Sequence, residues 1–332
     1  MTLHIDIHSH VIPPAMVEAI AADPEGFAAR VEGGGDNRRM RHDQGYVYPL
    51  FAEFTDVKAK LAAMDRKGLD LSVVSPAPPM FYYWAEMDLA ARAARLVNDG
   101  IADMVGQAPD RLRGMASVPL QYPELAMAEL ERVVATHGFK AVEIGTTIEG
   151  VQLADPRFRP FLRKARDLGV LVFIHPYYVG SKAGLENYYL TNLAGNPFDT
   201  TVSLANLIFS GALEELDGLK LLAAHGGGYL PYQIGRLVHG HKVRQEPRVN
   251  TTASPKDLMK QIYFDTIVFD PQALRHLIDV VGAPHVCLGT DAPFDMGDET
   301  PLESLDQVPG LTAQERAAIT AGTAQALLGE PA

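Results

Sequence analysis

Five side chains suited to holding a cation or moving a proton fall at one repeated kind of position in this 332-residue chain. His8 and His10 close one short apolar run, His175 and His225 close two others, and Asp291 follows a fourth in Gly289-Thr290-Asp291. Imidazole is largely neutral at physiological pH and is the commonest nitrogen ligand for Zn²⁺ and related ions. In His8-Ser9-His10 an extended backbone turns both rings to the same side, so both can bind one ion. His-x-His alone is a weak signal, because surface pairs arise by chance, and a lone histidine at a strand end is more often a hydrogen-bonded cap. The coincidence of all these positions points to a metal-dependent enzyme. The remaining histidines fall on helices, loops or strand starts and read as solvated or packing residues, with His42 and His239 kept as minor site candidates.

Such residues need strands whose ends meet. Apolar, largely β-branched runs recur at 3–8, 69–75, 114–118, 141–145, 170–175, 219–225, 262–266 and 285–290. Most are continuously hydrophobic, as expected of parallel strands covered on both faces. Helical periodicity and end signals occupy 56–67, 87–105, 123–136, 155–168, 199–216, 229–238, 271–281 and 313–328. In the first of these Val57, Leu61 and Met64 form one stripe and Gly68 follows as a stop. Strands each followed by a helix predict an α/β fold, a closed (β/α)8 TIM barrel, with an open doubly wound sheet as the structural alternative. Barrel strand ends that are scattered in sequence converge on one rim, where barrel enzymes place their sites.

Two stretches exceed a minimal barrel. Residues 11–55 form an insertion after strand one, with Gly33-Gly34-Gly35, several arginines and an aromatic segment at 46–54. Residues 176–197 follow strand five and hold Tyr177, Tyr178, Tyr188 and Tyr189. Both read as lid or oligomer-contact elements. No repeat or linker interrupts the chain, so 1–332 reads as a single domain. The formal charge of −12 argues against a nucleic-acid or anionic-membrane surface. The one cysteine, Cys287, allows no intrachain disulfide. With no basic leader and no apolar stretch long enough to span a bilayer, the expectation is a cytoplasmic protein acting on a small molecule.

The motifs Ile5-Asp6-Ile7-His8-Ser9-His10, Ile174-His175-Pro176, His225-Gly226-Gly227-Gly228 and Gly289-Thr290-Asp291-Ala292-Pro293-Phe294 resemble the amidohydrolase superfamily. Within it, the resemblance is to the branch named for 2-amino-3-carboxymuconate-6-semialdehyde decarboxylase. Pro79-Met80-Phe81-Tyr82-Tyr83-Trp84, Ile144-Gly145-Thr146 and Gly235-Arg236 agree, so the resemblance covers nearly the whole chain. It implies that His8, His10, His175 and Asp291 hold one divalent metal ion, zinc in the first instance and manganese otherwise. It further implies that His225 sits beside the metal-bound water as acid/base, and that Arg236 reaches the neighbouring subunit's site to grip a substrate carboxylate, hence a homodimer. Three neutral imidazoles and one carboxylate leave positions open for water or substrate, as in a catalytic site. Three glycines after His225 leave its ring unshielded. Strand four carries Glu143 where two-metal relatives have a bridging lysine, which favours a single ion; Glu143 reads equally as a barrel-interior carboxyl or a salt-bridged structural one.

Two departures bear on the substrate. Phe51 stands where the named decarboxylase has a carboxylate-binding arginine, with Arg38, Arg39 and Arg41 nearby, and His175-Pro176-Tyr177-Tyr178 replaces His-Pro-Trp-Asp. They argue against the muconate semialdehyde and for an apolar or aromatic pocket lined by Phe51, Met80, Phe81, Trp84, Tyr177 and Phe294. The expected reaction is non-oxidative decarboxylation of an aromatic or unsaturated carboxylic acid, with Asp291 or His225 delivering a proton to the departing carbon. A metal-dependent hydrolase or hydratase on the same site is the alternative, and a non-catalytic binding protein that kept the barrel is a third reading.

Overall fold

Strands apolar on both faces must be covered on both faces, and a closed barrel ringed by helices does this. The computed structural model describes residues 3–177 and 180–330, the side chain of Asp36 excepted. Parallel strands Ile5–Val11, Leu71–Pro76, Leu112–Ser117, Ala141–Gly145, Leu171–His175, Leu221–Ala223, Ile262–Asp265 and Val286–Cys287 pair in that order in one eight-stranded sheet. The last strand returns to the first: Ile7 N donates to Leu288 O at 2.9 Å, and Ser9 bridges Ala292. The sheet is therefore a (β/α)8 barrel. The larger core fills the space between strands and helices, and a smaller cluster joins Ile5, Val73, Leu171, Phe173 and Leu222 to Leu327 and Leu328 near the C-terminus.

The helices depart from periodicity where backbone chemistry intervenes. The expected helix at 199–216 starts earlier, as Asn196–Phe209, and breaks before Ala212–Glu215 because Gly211 takes a left-handed φ of 77°. The expected helix at 229–238 continues to Val243. The stretch 313–328 divides into Ala313–Ala317, a wide turn at Ala318–Gly322 and Thr323–Leu328. Among the described residues no helix is long and apolar enough to cross a membrane.

The 11–55 insertion has its own structure. Helix Pro14–Ala22 starts on a proline, whose missing N–H costs nothing in a first turn. A three-stranded antiparallel sheet follows, Ala29–Glu32, Arg39–His42 and Val47–Pro49. Arg39 and Arg41 both reach back to Glu32, at 3.0 and 3.1 Å, which fixes them on this sheet.

His42, at the end of the middle strand, is buried edge-on against Tyr48, Tyr82 and Trp84, and neither ring nitrogen has a partner. Burial pushes its pKa from 6.5 down to about 4. The folded chain thus excludes a proton that the unfolded chain accepts. The stability tied to neutral His42 is complete above 6.5 and is lost as pH falls toward about 4. Denaturant titrations between roughly pH 7 and pH 5 should show His42→Phe losing less stability on acidification than the wild type. Equal losses in the two proteins would show that His42 does not carry this linkage.

Candidate metal centre

Strand one delivers His8 and His10 to the rim, and a register shift between Asp6 and Ser9 re-aims the strand at His8. Strand five delivers His175. After strand eight the chain runs on beside strand one, with Thr290 N and Asp291 N donating to His8 O at 3.2 and 2.8 Å. Asp291 itself takes a left-handed φ of 58°, a strained turn that sends its carboxylate back to the histidines. One donor atom from each of His8, His10, His175 and Asp291 lies within 4.8 Å of all the others, and all four residues are buried.

Hydrogen bonds fix which nitrogens face inward. His8 Nδ1 lies 2.7 Å from the Asp265 carboxylate, His10 Nδ1 3.3 Å from Pro76 O, and His175 Nδ1 3.0 Å from Pro176 O. Each of those oxygens accepts, so each Nδ1 carries the proton and each Nε2 is left as a lone pair. His8 Nε2 and His10 Nε2 then face each other at 3.0 Å, and lie 3.2 and 3.1 Å from Asp291 Oδ1. His175 Nε2 and Asp291 Oδ1 are buried with no hydrogen-bond partner. Lone pairs and a carboxylate oxygen converging on one point need a cation between them. The residues fit a single divalent ion. Electrostatics agree that the cluster favours positive charge: burial opposes a charge on His8, but Asp291 and Asp265 outweigh it and raise its pKa to about 10, so its Nε2 takes a proton unless a cation stands there instead. Burial pushes His10 down to about 4 and His175 well below 6.5, so these two stay neutral ligands.

His225 stands beside this set, outside it. Its Nε2 is 3.3 Å from Asp291 Oδ2, its side chain is 16% exposed, and it faces the cavity above. The turn that presents it is left-handed from His225 through Gly228, with φ of 54°, 59°, 74° and 64°. Left-handed backbone is free for glycine but costs histidine about 1–2 kcal/mol, so something must hold it. A Cβ on Gly228 would lie 2.1 Å from Pro197 O, which explains why this position has none.

Three residues that the sequence reading did not single out organise the site. Asp265, ending strand seven, accepts from His8 Nδ1 and from the amides of His225, Gly226 and Ile267. Asp6 accepts from His8 N at 3.1 Å and from Thr290 N and Oγ1 at 3.0 and 2.8 Å, stitching strand eight to strand one. Lys60 is fully buried and donates to His10 O at 3.0 Å and Ala292 O at 3.3 Å, one carbonyl from each ligand-bearing segment. Glu143 does point into the barrel, 3.9 and 4.0 Å from the Nδ1 atoms of His10 and His175. Among the described residues no lysine or arginine pairs with it, and burial holds its carboxyl well above 4.5.

A cavity of about 1120 Å³ opens over His175, His225 and Asp291. Phe51, Tyr177 and Phe294 line it, as do Tyr46 and Tyr48 from the insertion sheet. Tyr178 lies outside the described residues. Met80, Phe81 and Trp84 do not reach the cavity, and the pocket reading is corrected there. The chain turns left-handed at Tyr82, so that Phe81 packs on Tyr83 and Tyr177 behind the wall and Trp84 packs on Tyr82, while Pro78 and Pro79 form the surface instead. Arg236 is exposed on helix Leu230–Val243 and does not line its own chain's cavity, nor do Arg38, Arg39 and Arg41. Lys182 is the one lysine or arginine among the described lining residues. His42 and His239 also lie off the cavity.

Comparison with known proteins adds four findings. The family model described as amidohydrolase matches residues 5–329. The chain is 30% identical over 332 residues to 2-amino-3-carboxymuconate-6-semialdehyde decarboxylase of Dictyostelium discoideum, covering 99% of this chain and 92% of that protein. It is 28% identical over 250 residues to gamma-resorcylate decarboxylase of a Polaromonas species, covering 71% of this chain and 76% of the other. Among solved structures, dihydroxybenzoic acid decarboxylase from Polaromonas, bound to manganese and the inhibitor 2-nitroresorcinol, superimposes with a TM-score of 0.82 at 22% identity, over 99% of this chain and 97% of that one.

Proposed function

Because the chain belongs to the amidohydrolase family, we propose that it is a metal-dependent carboxy-lyase that removes carbon dioxide from a small aromatic or unsaturated carboxylic acid. The observation that carries this is the convergence of three imidazole nitrogens and one carboxylate at the floor of a largely apolar cavity that holds several aromatic rings, with His225 exposed to that cavity. His8, His10, His175 and Asp291 would hold the ion, zinc or manganese, the latter being the metal named with the Polaromonas structure. A divalent cation there supplies positive charge that orients the substrate carboxylate and a neighbouring hydroxyl or amino group.

The residues of the chain do the rest. Phe51, Tyr177 and Phe294 bind the flat ring and exclude water from it. His225 gives its Nε2 proton to the carbon bearing the carboxylate and regains one from solvent through the cavity, with Asp291 Oδ2 3.3 Å away to orient the ring. The C–C bond to the carboxylate then breaks, its electron pair restores the unsaturated system, and carbon dioxide leaves. Charge dispersed over a ring and leaving gas is favoured in an apolar cavity over the localised carboxylate it came from.

The same reading makes the protein a cytoplasmic single-domain homodimer. Tyr189, Tyr229, Tyr232 and Phe269 are exposed on the cavity's rim, an apolar face suited to a second copy. Arg236 lies four residues beyond Tyr232 on the same helix face, so a second copy packed there would bring it toward a neighbour's cavity.

The test is a substrate panel on metal-loaded protein, scoring carbon dioxide release from hydroxybenzoates and unsaturated acids against hydrolysis of amides, lactones and diketones. Release from at least one acid, abolished by chelation, is expected. Hydrolysis without any decarboxylation would overturn the reading in favour of a hydrolase.

A further inference from the structure

Asp265 takes no part in the reaction just described, yet it touches both halves of the machinery. It is completely buried. Its Oδ2 accepts from His8 Nδ1 at 2.7 Å and His225 N at 2.9 Å, and its Oδ1 from Gly226 N at 2.8 Å and Ile267 N at 3.1 Å. No lysine or arginine among the described residues pairs with it, so these four donors carry its whole satisfaction. Successive backbone N–H groups in a turn can point to one side and form a concave anion-binding nest. The anion filling the nest of His225 and Gly226 is this carboxylate.

We propose that Asp265 is the positioning residue that sets the metal ligand His8 and the proton donor His225 together. By accepting the His8 Nδ1 proton it fixes the tautomer whose Nε2 faces the other ligands. By filling the nest it holds His225 in its left-handed turn, with Nε2 toward Asp291. Rotation of one carboxylate would disturb both. The roles of His8 and His225 here rest on the reading given under Proposed function.

Asparagine has nearly the size of aspartate but one acceptor oxygen, and its NH₂ would confront an N–H. If Asp265 only packs the barrel, Asp265→Asn should behave as wild type. If it positions both groups, Asp265→Asn should melt as a folded protein, bind added Mn²⁺ or Co²⁺ about 10–100-fold more weakly, and retain a lowered kcat when metal is saturating. Spectra of ¹⁵N-histidine in the zinc-loaded protein should show a proton on His8 Nδ1 in the wild type and shifts of both His8 and His225 in the variant. Unchanged metal affinity would overturn the proposal, as would full recovery of kcat at saturating metal or an unmoved His225 signal. Should the variant not fold, the wild-type spectrum decides alone: an unprotonated His8 Nδ1 overturns it. The metal titration and the spectra use no substrate, so a failed acid panel leaves them standing.

Discussion

Replacing His175 by alanine should remove bound metal and turnover together. Among the described residues His175 Nε2 has no hydrogen-bond partner, and it points at the same spot as His8 Nε2, His10 Nε2 and Asp291 Oδ1. Its Nδ1 is already committed to Pro176 O, so the ring cannot turn to find another use for Nε2. Truncation leaves two imidazoles and a carboxylate, an incomplete set for a buried ion. The charge that the cation offers a reacting carboxylate is worth several kcal/mol, which corresponds to a loss of roughly a thousandfold or more in kcat/KM. The fold should survive, since Leu171, Val172, Phe173 and Ile174 anchor the strand in both cores. Metal content by mass spectrometry, circular dichroism and carbon dioxide release on one preparation check all three statements. Stoichiometric metal with normal turnover in His175→Ala would remove this residue from the ligand set.

How much of this could be seen beforehand follows from where the determinants lie. The barrel was legible because its strands are continuously apolar and its helices carry periodic stripes and stop signals, both local properties of sequence. The convergence of His8, His10, His175 and Asp291 was legible for a related reason: each sits where an apolar run ends, and barrel topology gives that position a meaning. Lys60 was illegible. On a helix surface it reads as solvated, and only the folded chain shows it reaching His10 O and Ala292 O, groups separated from it by 50 and 232 residues. Asp265 had the same signal as the ligands, since it ends strand seven, but one acidic residue at a strand end does not announce four donors arriving from three segments. The error over Met80, Phe81 and Trp84 came from a left-handed turn at Tyr82, a non-glycine in a conformation that sequence does not advertise. The insertion's sheet was missed because its strands are short and one of its few inward residues, His42, is polar.

His225→Ala should do the opposite of His175→Ala in one respect: metal should stay while turnover is lost. His225 is outside the four-residue set, its Nδ1 has no partner, and among the described residues its one polar side-chain contact is Asp291 Oδ2, the carboxylate oxygen not shared with His8 and His10. Removing the ring therefore leaves the four donors in place. A positioned general acid contributes about 10²–10⁴-fold, so kcat should fall by that factor, with a smaller change in KM. Alanine carries a second penalty, because the position is left-handed at φ 54° and alanine resists it. Asparagine tolerates that conformation far better while lacking a ring to titrate, so His225→Asn isolates the chemical loss from the backbone one. The two variants should agree in metal content and differ only modestly in kcat. If both kept full turnover, the proton would have to come from Asp291, and His225 would be reduced to a neighbour of the site. If both lost the metal as well, the division between ligand and proton donor would fail, and His225 would have to be counted among the groups that hold the ion.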